Sequence, residues 1–444
     1  MRKTRVAMVP FTYPDYPPDV VSRFIEASKQ TVAGIEPEVL VTNRVASLEE
    51  ATTARRQVLE SDPDLIIALL VSWVEAPNLV ACLRDFFHKP ILLWSHTTYK
   101  EDNVGLTLGA IPAAGVIRET LDEMGASFRF IYGMPDDPKI AEQIASAVRV
   151  AGAAGNMAGL RIGLFGYIAM GMYTGGFDHA SVRSRLGPEI VHMDQYMIVK
   201  RADAVTDGEV ADTARAAREN WDIASDVTDS NLLRTMRVYK ALRDLVRENA
   251  LDALTVKCQY EMSREYGLAP CIPLSMLGDE LPTSCEGDVP LIISQALLGC
   301  ISGGKTTSYG DVHDALADGI LLAACGFAPI SLAAGGRPTV KAHTALYEGL
   351  MNSSPYVDGT VTVMRVAPDG VGYKMHMCRG RAVEMPPFHE IECPSYAGLK
   401  LVMQGNVDHF MQNMASQHYA IVYGDYLDDL VEFCKLKGIR PIVS

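Results

Sequence analysis

The sequence predicts an α/β protein: two doubly wound, Rossmann-like α/β units followed by a C-terminal antiparallel β domain. Three observations lead there. From Thr4 to Ala151, short apolar runs alternate with stretches of helical periodicity, the pattern of a parallel sheet crossed by helices. The same alternation restarts at Arg161, after the small-residue stretch AVRVAGAAGNMAG. Beyond about residue 330 helical periodicity gives way to strand-like runs joined by Gly/Pro turns. The expected domains are therefore 1–157, 158–330 and 331–444, in line with the usual scaling of chain length to domain number.

In the first unit, residues 4–10 form a buried strand and Pro14, Pro17 and Pro18 a loop. Val20 to Val32 is helical. Glu38 to Val41, Asp64 to Leu70 and Ile91 to Trp94 are strands, separated by helices over Ser47 to Glu60 and Asn78 to Phe87. Gly109 to Met124 and Ala141 to Ala151 are further helices. Ligands of such sheets sit at the carboxyl ends of strands. Those ends carry Thr12 and Tyr13, Ser72 and Trp73, and Ser95, His96 and Thr97.

In the second unit Arg161 to Tyr167, Glu189 to Met193 and Ala253 to Lys257 are strands; Asp207 to Asn220 and Asn231 to Asn249 are helices. The polar loop Cys258 to Glu261 follows. Beyond residue 330, Asp358 to Val366, Gly370 to Cys378, Arg379 to Met385 and Leu399 to Met403 are strands. An amphipathic helix, Asp425 to Leu436, precedes a last strand, Arg440 to Val443.

Composition narrows the function. The 444 residues are 48% hydrophobic and 21% charged, with a net charge of −14, which argues against nucleic acid or an anionic membrane as the main partner. Nine scattered cysteines without a C-x-x-C pair are the pattern of reduced thiols in a cytoplasmic protein. The apolar run of MRKTRVAMVPF is cut by Pro10, too early for a signal peptide. The longest apolar run, Leu65 to Val74, is too short for a membrane span.

The chemistry concentrates in PTSCEGDVPLIISQALLGCISGGKTTSYGDVHD, Pro282 to Asp314. Glu286 and Asp288 open it, an apolar segment follows, and Asp311, His313 and Asp314 close it. Two clusters of hard oxygens joined in this way can converge on a divalent ion or serve as an acid/base pair. They can equally cap a helix and line a loop. Within the segment, Gly299 to Thr306 fits G-x-x-x-x-G-K-[ST], but Gly310 and Asp311 follow too soon for the helix a phosphate loop needs. His96, beside Trp94, is either a structural strand-end residue or a sugar-hydroxyl partner with an aromatic ring to stack on the sugar. Of His409 and His418, at most one is a metal ligand. His418 precedes the strand-like YAIVYGD, whereas His409 lies on a helix or loop.

Three stretches carry a family resemblance: LSMLGDELPTSCEGDV from Leu274, SYGDVHDALADGILLAACGFAP from Ser308 and QHYAIVYG from Gln417. Weaker matches are MGMYTGGFD, HMDQ around Asp194, SWVEAP and WSHT. In these the chain resembles the L-fucose/L-arabinose isomerase superfamily. The resemblance implies that Glu286, Asp311 and His418 ligate one divalent ion, typically Mn2+, with Mg2+ or Co2+ as alternatives. It implies a metal-dependent aldose–ketose isomerase acting on a pentose, hexose or deoxy sugar through an enediol. Glu286 and Asp311 would be its acid and base, in an order left open. Trp73, Trp94, His96, Gln259 and Lys305 are the expected substrate contacts, and Asp288 and His313 the expected supports of the ligands. AACGFAP lacks the further metal histidine of arabinose isomerases, so the ligand pattern is closer to fucose isomerases; the chain is shorter than those, which leaves the sugar unnamed. Homo-oligomers, trimers or hexamers, are implied, with a neighbour's N-terminal domain closing each site and Trp73, Trp94 and His96 on exposed strand ends. Two alternatives remain: a non-catalytic sugar-binding protein on the same scaffold, and a related enediolate enzyme such as an epimerase.

Overall fold

The structure is a computed structural model that describes residues 2–343, 349–385 and 397–444. It divides into two compact units, Met1–Gly155 and Asn156–Ser444. In the first, β1 (Val6–Phe11), β2 (Leu40–Val41), β3 (Leu65–Leu70), β4 (Ile91–Ser95) and β7 (Phe128–Tyr132) form a parallel sheet in the order β2-β1-β3-β4-β7. A small hairpin, β5 (Tyr99–Glu101) and β6 (Val104–Leu106), lies outside that sheet. VAMVPF, LIIALL and ILLWS are buried throughout because helices cover both faces of a doubly wound sheet. Successive residues feed opposite faces: Ala7, Val9, Ile66 and Ala68 pack on one side, Met8, Ile67, Leu69 and Trp94 on the other.

The second unit opens with another parallel sheet. It contains β8 (Arg161–Phe165), β9 (Glu189–Met193), β11 (Ala253–Val256) and β12 (Thr283–Cys285), ordered β12-β11-β8-β9. The short strand β10 (Asp222–Ile223) joins β15 (Thr339–Ala342) and β16 (Leu350–Asn352) in a separate sheet. The helix Val289–Ile301 follows β12. All its residues are buried, as expected of a helix that is apolar all round. It packs on β8, β11 and β12 on one side and on β13 (Thr307–Leu316), β17 (Gly359–Pro368) and β20 (His418–Tyr423) on another. It is thus the shared core between the parallel sheet and the C-terminal strands.

Those strands form a mostly antiparallel sheet with β14 (Gly319–Ala324), β18 (Tyr373–Val383), β19 (Ala397–Met403) and β21 (Arg440–Val443). Its order is β17-β20-β13-β14-β19-β18-β21, and β17 also pairs along its length with β18. Six strands therefore close on one another as a barrel, and β21 extends β18 in parallel. The expected division near residue 330 does not match this pairing: β13 and β14 hydrogen-bond to β20 and β19 and belong to the barrel. Sheet partners are chosen by long-range pairing, which local periodicity does not encode. Gly299 lies inside the helix Val289–Ile301, and the Gly/Lys loop leads into a strand. A phosphate loop needs the reverse order, strand before and helix after, so none forms.

Candidate functional site

The site begins where β12 ends. Glu286 (φ 69°) and Gly287 (φ 67°) both take left-handed backbone conformations. A Cβ at Gly287 would stand 2.2 Å from the Tyr167 carbonyl oxygen, so only glycine lets the two segments approach. The turn delivers Asp288 as the cap of the helix Val289–Ile301, its Oδ1 accepting from the Leu291 amide at 3.0 Å. The capping half of the open question raised by these acids thus holds for Asp288.

Asp288 does more than cap. It is fully buried and receives both terminal nitrogens of the equally buried Arg365, at 2.9 and 3.0 Å. Its Oδ2 also lies 2.8 Å from His418 Nδ1. Burial pushes the Asp288 carboxyl up, but the Arg365 charge and the His418 hydrogen bond outweigh it and hold the group below the usual carboxylate range. An ionised carboxylate only accepts hydrogen bonds, so His418 Nδ1 carries a proton and Nε2 faces the other way.

There Nε2 meets two more acids. It is 3.4 Å from Glu286 Oε2 and 3.2 Å from Asp311 Oδ1. Asp311 arrives through sheet register, directly opposite His418 in the β13–β20 pair. Burial pushes Glu286 up to about 7, with Asp311 and Asp288 adding to the shift and His418 and a Gln259 hydrogen bond opposing it. Burial pushes His418 down, but Asp311, Asp288 and Glu286 outweigh it and raise it well above the ordinary imidazole range. The imidazolium is the cation this acid cluster holds by itself. Neither Glu286 Oε2 nor His418 Nε2 has a partner of hydrogen-bonding geometry, although both are buried.

The other expected residues are distributed as follows. Gln259 is buried and hydrogen-bonds Glu286. His313 falls at a register shift between Val312 and Asp314, so the simple alternation expected to place it on the Asp311 face is broken there. Lys305 is not brought to the acids. It donates to the Tyr423 carbonyl at 3.1 Å and stands over the Tyr426 ring, beyond the opposite end of the helix that Asp288 caps. That helix separates them by ~20 Å at the α-helical rise. Trp73, Trp94 and His96 belong to the first unit. Trp94 and His96 are buried rather than displayed on exposed strand ends: Trp94 Nε1 donates to the Gly133 carbonyl, and His96 Nε2 sits 2.9 Å from Ser28 Oγ. The cause is the place of β4 inside the sheet, between β3 and β7, with an apolar core packed on each face. Trp73 alone reaches a depression, with Tyr13, Asp15 and Tyr16. His409 is tied to Ser444 at 2.9 Å.

Sequence reasoning missed Arg365. Its signal was present as one charge inside the apolar run VTVMRVA, since a buried charge needs a partner. It also missed the surroundings of Gln259. Tyr260 (φ 65°, ψ −84°) is the centre of a γ-turn closed by the Glu261 amide on the Gln259 carbonyl at 3.0 Å, a strained conformation. Lys257 is buried in an ion pair with Glu261, 3.7 Å from the Tyr167 ring centroid. A cavity of about 380 Å³, lined by Gly166, Tyr167, His192, Met193, Asp194 and Gln195, opens at the carboxyl ends of β8 and β9.

No family model matches the chain. Curated relatives do. The chain is 25% identical over 466 residues to the sulfoquinovose isomerase of Priestia aryabhattai, covering 100% of both chains. It is 26% identical over 396 residues to that of Alkalicoccus urumqiensis, covering 87% of each. It is 24% identical over 464 residues to that of Clostridium sp. (strain MSTE9), again covering 100% of both. The chain is thus similar along its length to sulfoquinovose isomerases, a likeness that fits the resemblance carried by the three motifs.

Proposed function

We propose that the protein is an aldose–ketose isomerase whose substrate is sulfoquinovose, a hexose bearing a sulfonate, and whose proton transfers are made by Glu286 and Asp311. The isomerase class rests on the full-length similarity to enzymes of that name. The observation that supports the site is the approach of Glu286 and Asp311 to His418 Nε2, at 3.4 and 3.2 Å.

Isomerisation moves a proton between C1 and C2 and shifts the carbonyl through an enediol. One carboxylate removes the proton and the other returns one. In the metal-free site burial pushes Glu286 up to about 7, toward the range of a group that must accept and then release a proton. Gln259 steadies its carboxylate. Asp288 and Arg365 fix the His418 ring and exclude water from behind it. Asp311, a quarter exposed, stands on the side open to a substrate.

Two carboxylates and an imidazole, with Glu286 Oε2 and His418 Nε2 buried and unpartnered, fit a divalent ion of the Mn2+ type, with Mg2+ or Co2+ as substitutes. Such an ion, when bound, polarises the sugar oxygens and stabilises the enediolate. Metal uptake would replace the proton on His418 Nε2.

A cytoplasmic location is part of the proposal, supported by eight cysteines that form no disulfide among the described residues. Among those residues no helix is long and apolar enough to cross a membrane. Self-association as a trimer or hexamer is proposed from the family resemblance, with the Trp73 depression as the surface a neighbour would use; light scattering on the purified protein reads it directly.

The test uses protein stripped by chelator and assayed by NMR on sulfoquinovose and a panel of neutral aldoses and ketoses, with and without Mn2+. The expected result is metal-dependent conversion of sulfoquinovose to its ketose, reduced about 10²–10⁴-fold in Glu286→Gln. Conversion only to an epimeric aldose would replace isomerase with epimerase. Binding without turnover in every metal would return the chain to the sugar-binding class.

A further inference from the structure

Behind the Glu286 carboxylate lies a group of side chains that the proposed reaction does not use. Cys285 ends β12, and Cys258 lies two residues beyond the end of β11, its parallel neighbour, in which Val256 stands opposite Cys285. The register brings both thiols to the same sheet edge as Glu286. The two Sγ atoms and a Glu286 carboxylate oxygen all lie within 4.8 Å of one another, and all three residues are buried. Cys285 Sγ is also 2.6 Å from the buried Tyr309 hydroxyl. Among the described residues Cys258, Cys285 and Glu286 are the one group of three His, Cys, Asp or Glu side chains whose ligand atoms all lie within 4.8 Å of one another.

Its chemistry differs from that of the neighbouring cluster. Glu286, Asp311 and His418 offer oxygen and nitrogen, which suit harder ions. Two thiolates and one carboxylate suit Zn2+ or Cd2+, with a fourth, tetrahedral position left for water. Glu286 is common to both sets. Its backbone is held by the left-handed turn and by the contact of Gly287 with Tyr167, so only its side-chain torsions can bring it to one set or the other.

We propose that Cys258, Cys285 and Glu286 form a second ion site, specific for thiophilic divalent ions, whose occupation draws Glu286 away from His418 and Asp311. Each thiol gives its proton to solvent as its sulfur–metal bond forms, so one ion enters and two thiol protons leave, with a third wherever Glu286 starts protonated. Binding at this site stands on the geometry alone. Its consequence, inhibition by exclusion of the harder ion, rests on the function proposed above.

The experiment titrates chelator-stripped full-length protein with Cd2+ and follows sulfur-to-metal charge-transfer absorption in the ultraviolet. One equivalent should saturate a thiolate band in the wild type and in the control Cys82→Ser. Cys258→Ser and Cys285→Ser should each lose most of it, with far-UV circular dichroism unchanged. Glu286→Gln should keep the band but weaken binding about tenfold. No band in the wild type, or a full band in the double variant Cys258→Ser/Cys285→Ser, overturns the site. A second arm loads Mn2+ first and watches its free-ion EPR signal. Release of Mn2+ by one equivalent of Cd2+ supports the shared carboxylate, and Cd2+ binding with Mn2+ retained overturns the sharing. Protein that takes up Cd2+ as described but never binds Mn2+ leaves this site standing and removes the metal from the proposed function instead.

Discussion

At the scale of single residues, Asp288 and Arg365 decide how well the site holds its shape. A buried carboxylate beside an imidazole sets the tautomer of the ring, and such outer partners are worth roughly 10–100-fold in metal affinity. Asp288→Asn should therefore weaken Mn2+ binding by about that factor, read by EPR titration. An unchanged affinity would mean that His418 is oriented by its strand alone. Arg365→Met leaves the Asp288 charge buried without its guanidinium partner. The expected loss is about 3–5 kcal/mol of stability, measured by urea unfolding. Adding Asp288→Asn to that variant should restore part of it, because the orphaned charge is then gone. No recovery would show that Arg365 stabilises the fold through its bonds to the Thr174 and His418 carbonyls instead.

At the scale of elements, the helix Val289–Ile301 and the strand pair β13–β20 do the positioning. The helix end carries Asp288, and the strand register carries Asp311 and His418 as one cross-strand pair. A register slip of one residue would turn one of that pair to the other face of the sheet. The barrel that guards this register depends on close strand approach. A Cβ on Gly319 would meet the Leu401 carbonyl oxygen at 1.8 Å. Gly319→Val should force β14 and β19 apart and lower the urea midpoint by the equivalent of about 1–3 kcal/mol. An unchanged midpoint would show that β14 can shift without cost. Most helices and strands of both parallel sheets were legible in the sequence, since each has its own period and punctuation; the helices Tyr196–Ala204 and Cys271–Leu277 were not, and Val289–Ile301 read only as an apolar segment. The closure of the barrel was not, because β17 and β18 meet β20 and β19 through hydrogen bonds that leave no local signature.

At the scale of the whole molecule, acid lability follows from buried neutral histidines. Burial holds His96 in the first unit and His376 in the second down to about 4. Unfolding returns each to its ordinary value near 6.5. Between these values the unfolded chain binds more protons than the folded one, so stability falls as pH drops from about 6.5 to 4 and levels off below. His96 alone accounts for up to roughly 3 kcal/mol over that window. Urea midpoints measured across this range should fall toward acid, less steeply in His96→Gln, whose side chain does not titrate. Glu286, raised to about 7, works in the opposite sense over this range, so the difference between the two profiles is the test: identical profiles would show that the His96 ring finds a charged partner in acid.

What the sequence determined by itself is the inventory: alternating strands and helices, an antiparallel end, and Glu286, Asp288, Asp311 and His418 as the residues able to carry chemistry. Those properties are local, because period, turn chemistry and side-chain type act within a few positions of one another. Only the tertiary structure decided the assembly. It set Asp311 opposite His418, gave Asp288 to Arg365 77 positions away, moved β13 and β14 into the barrel, sent Lys305 to the far end of its helix and sank Trp94 and His96 into a core. Each of these outcomes depends on which distant segments pack together, and that choice comes from burying apolar surface and pairing buried polar groups across the whole chain at once.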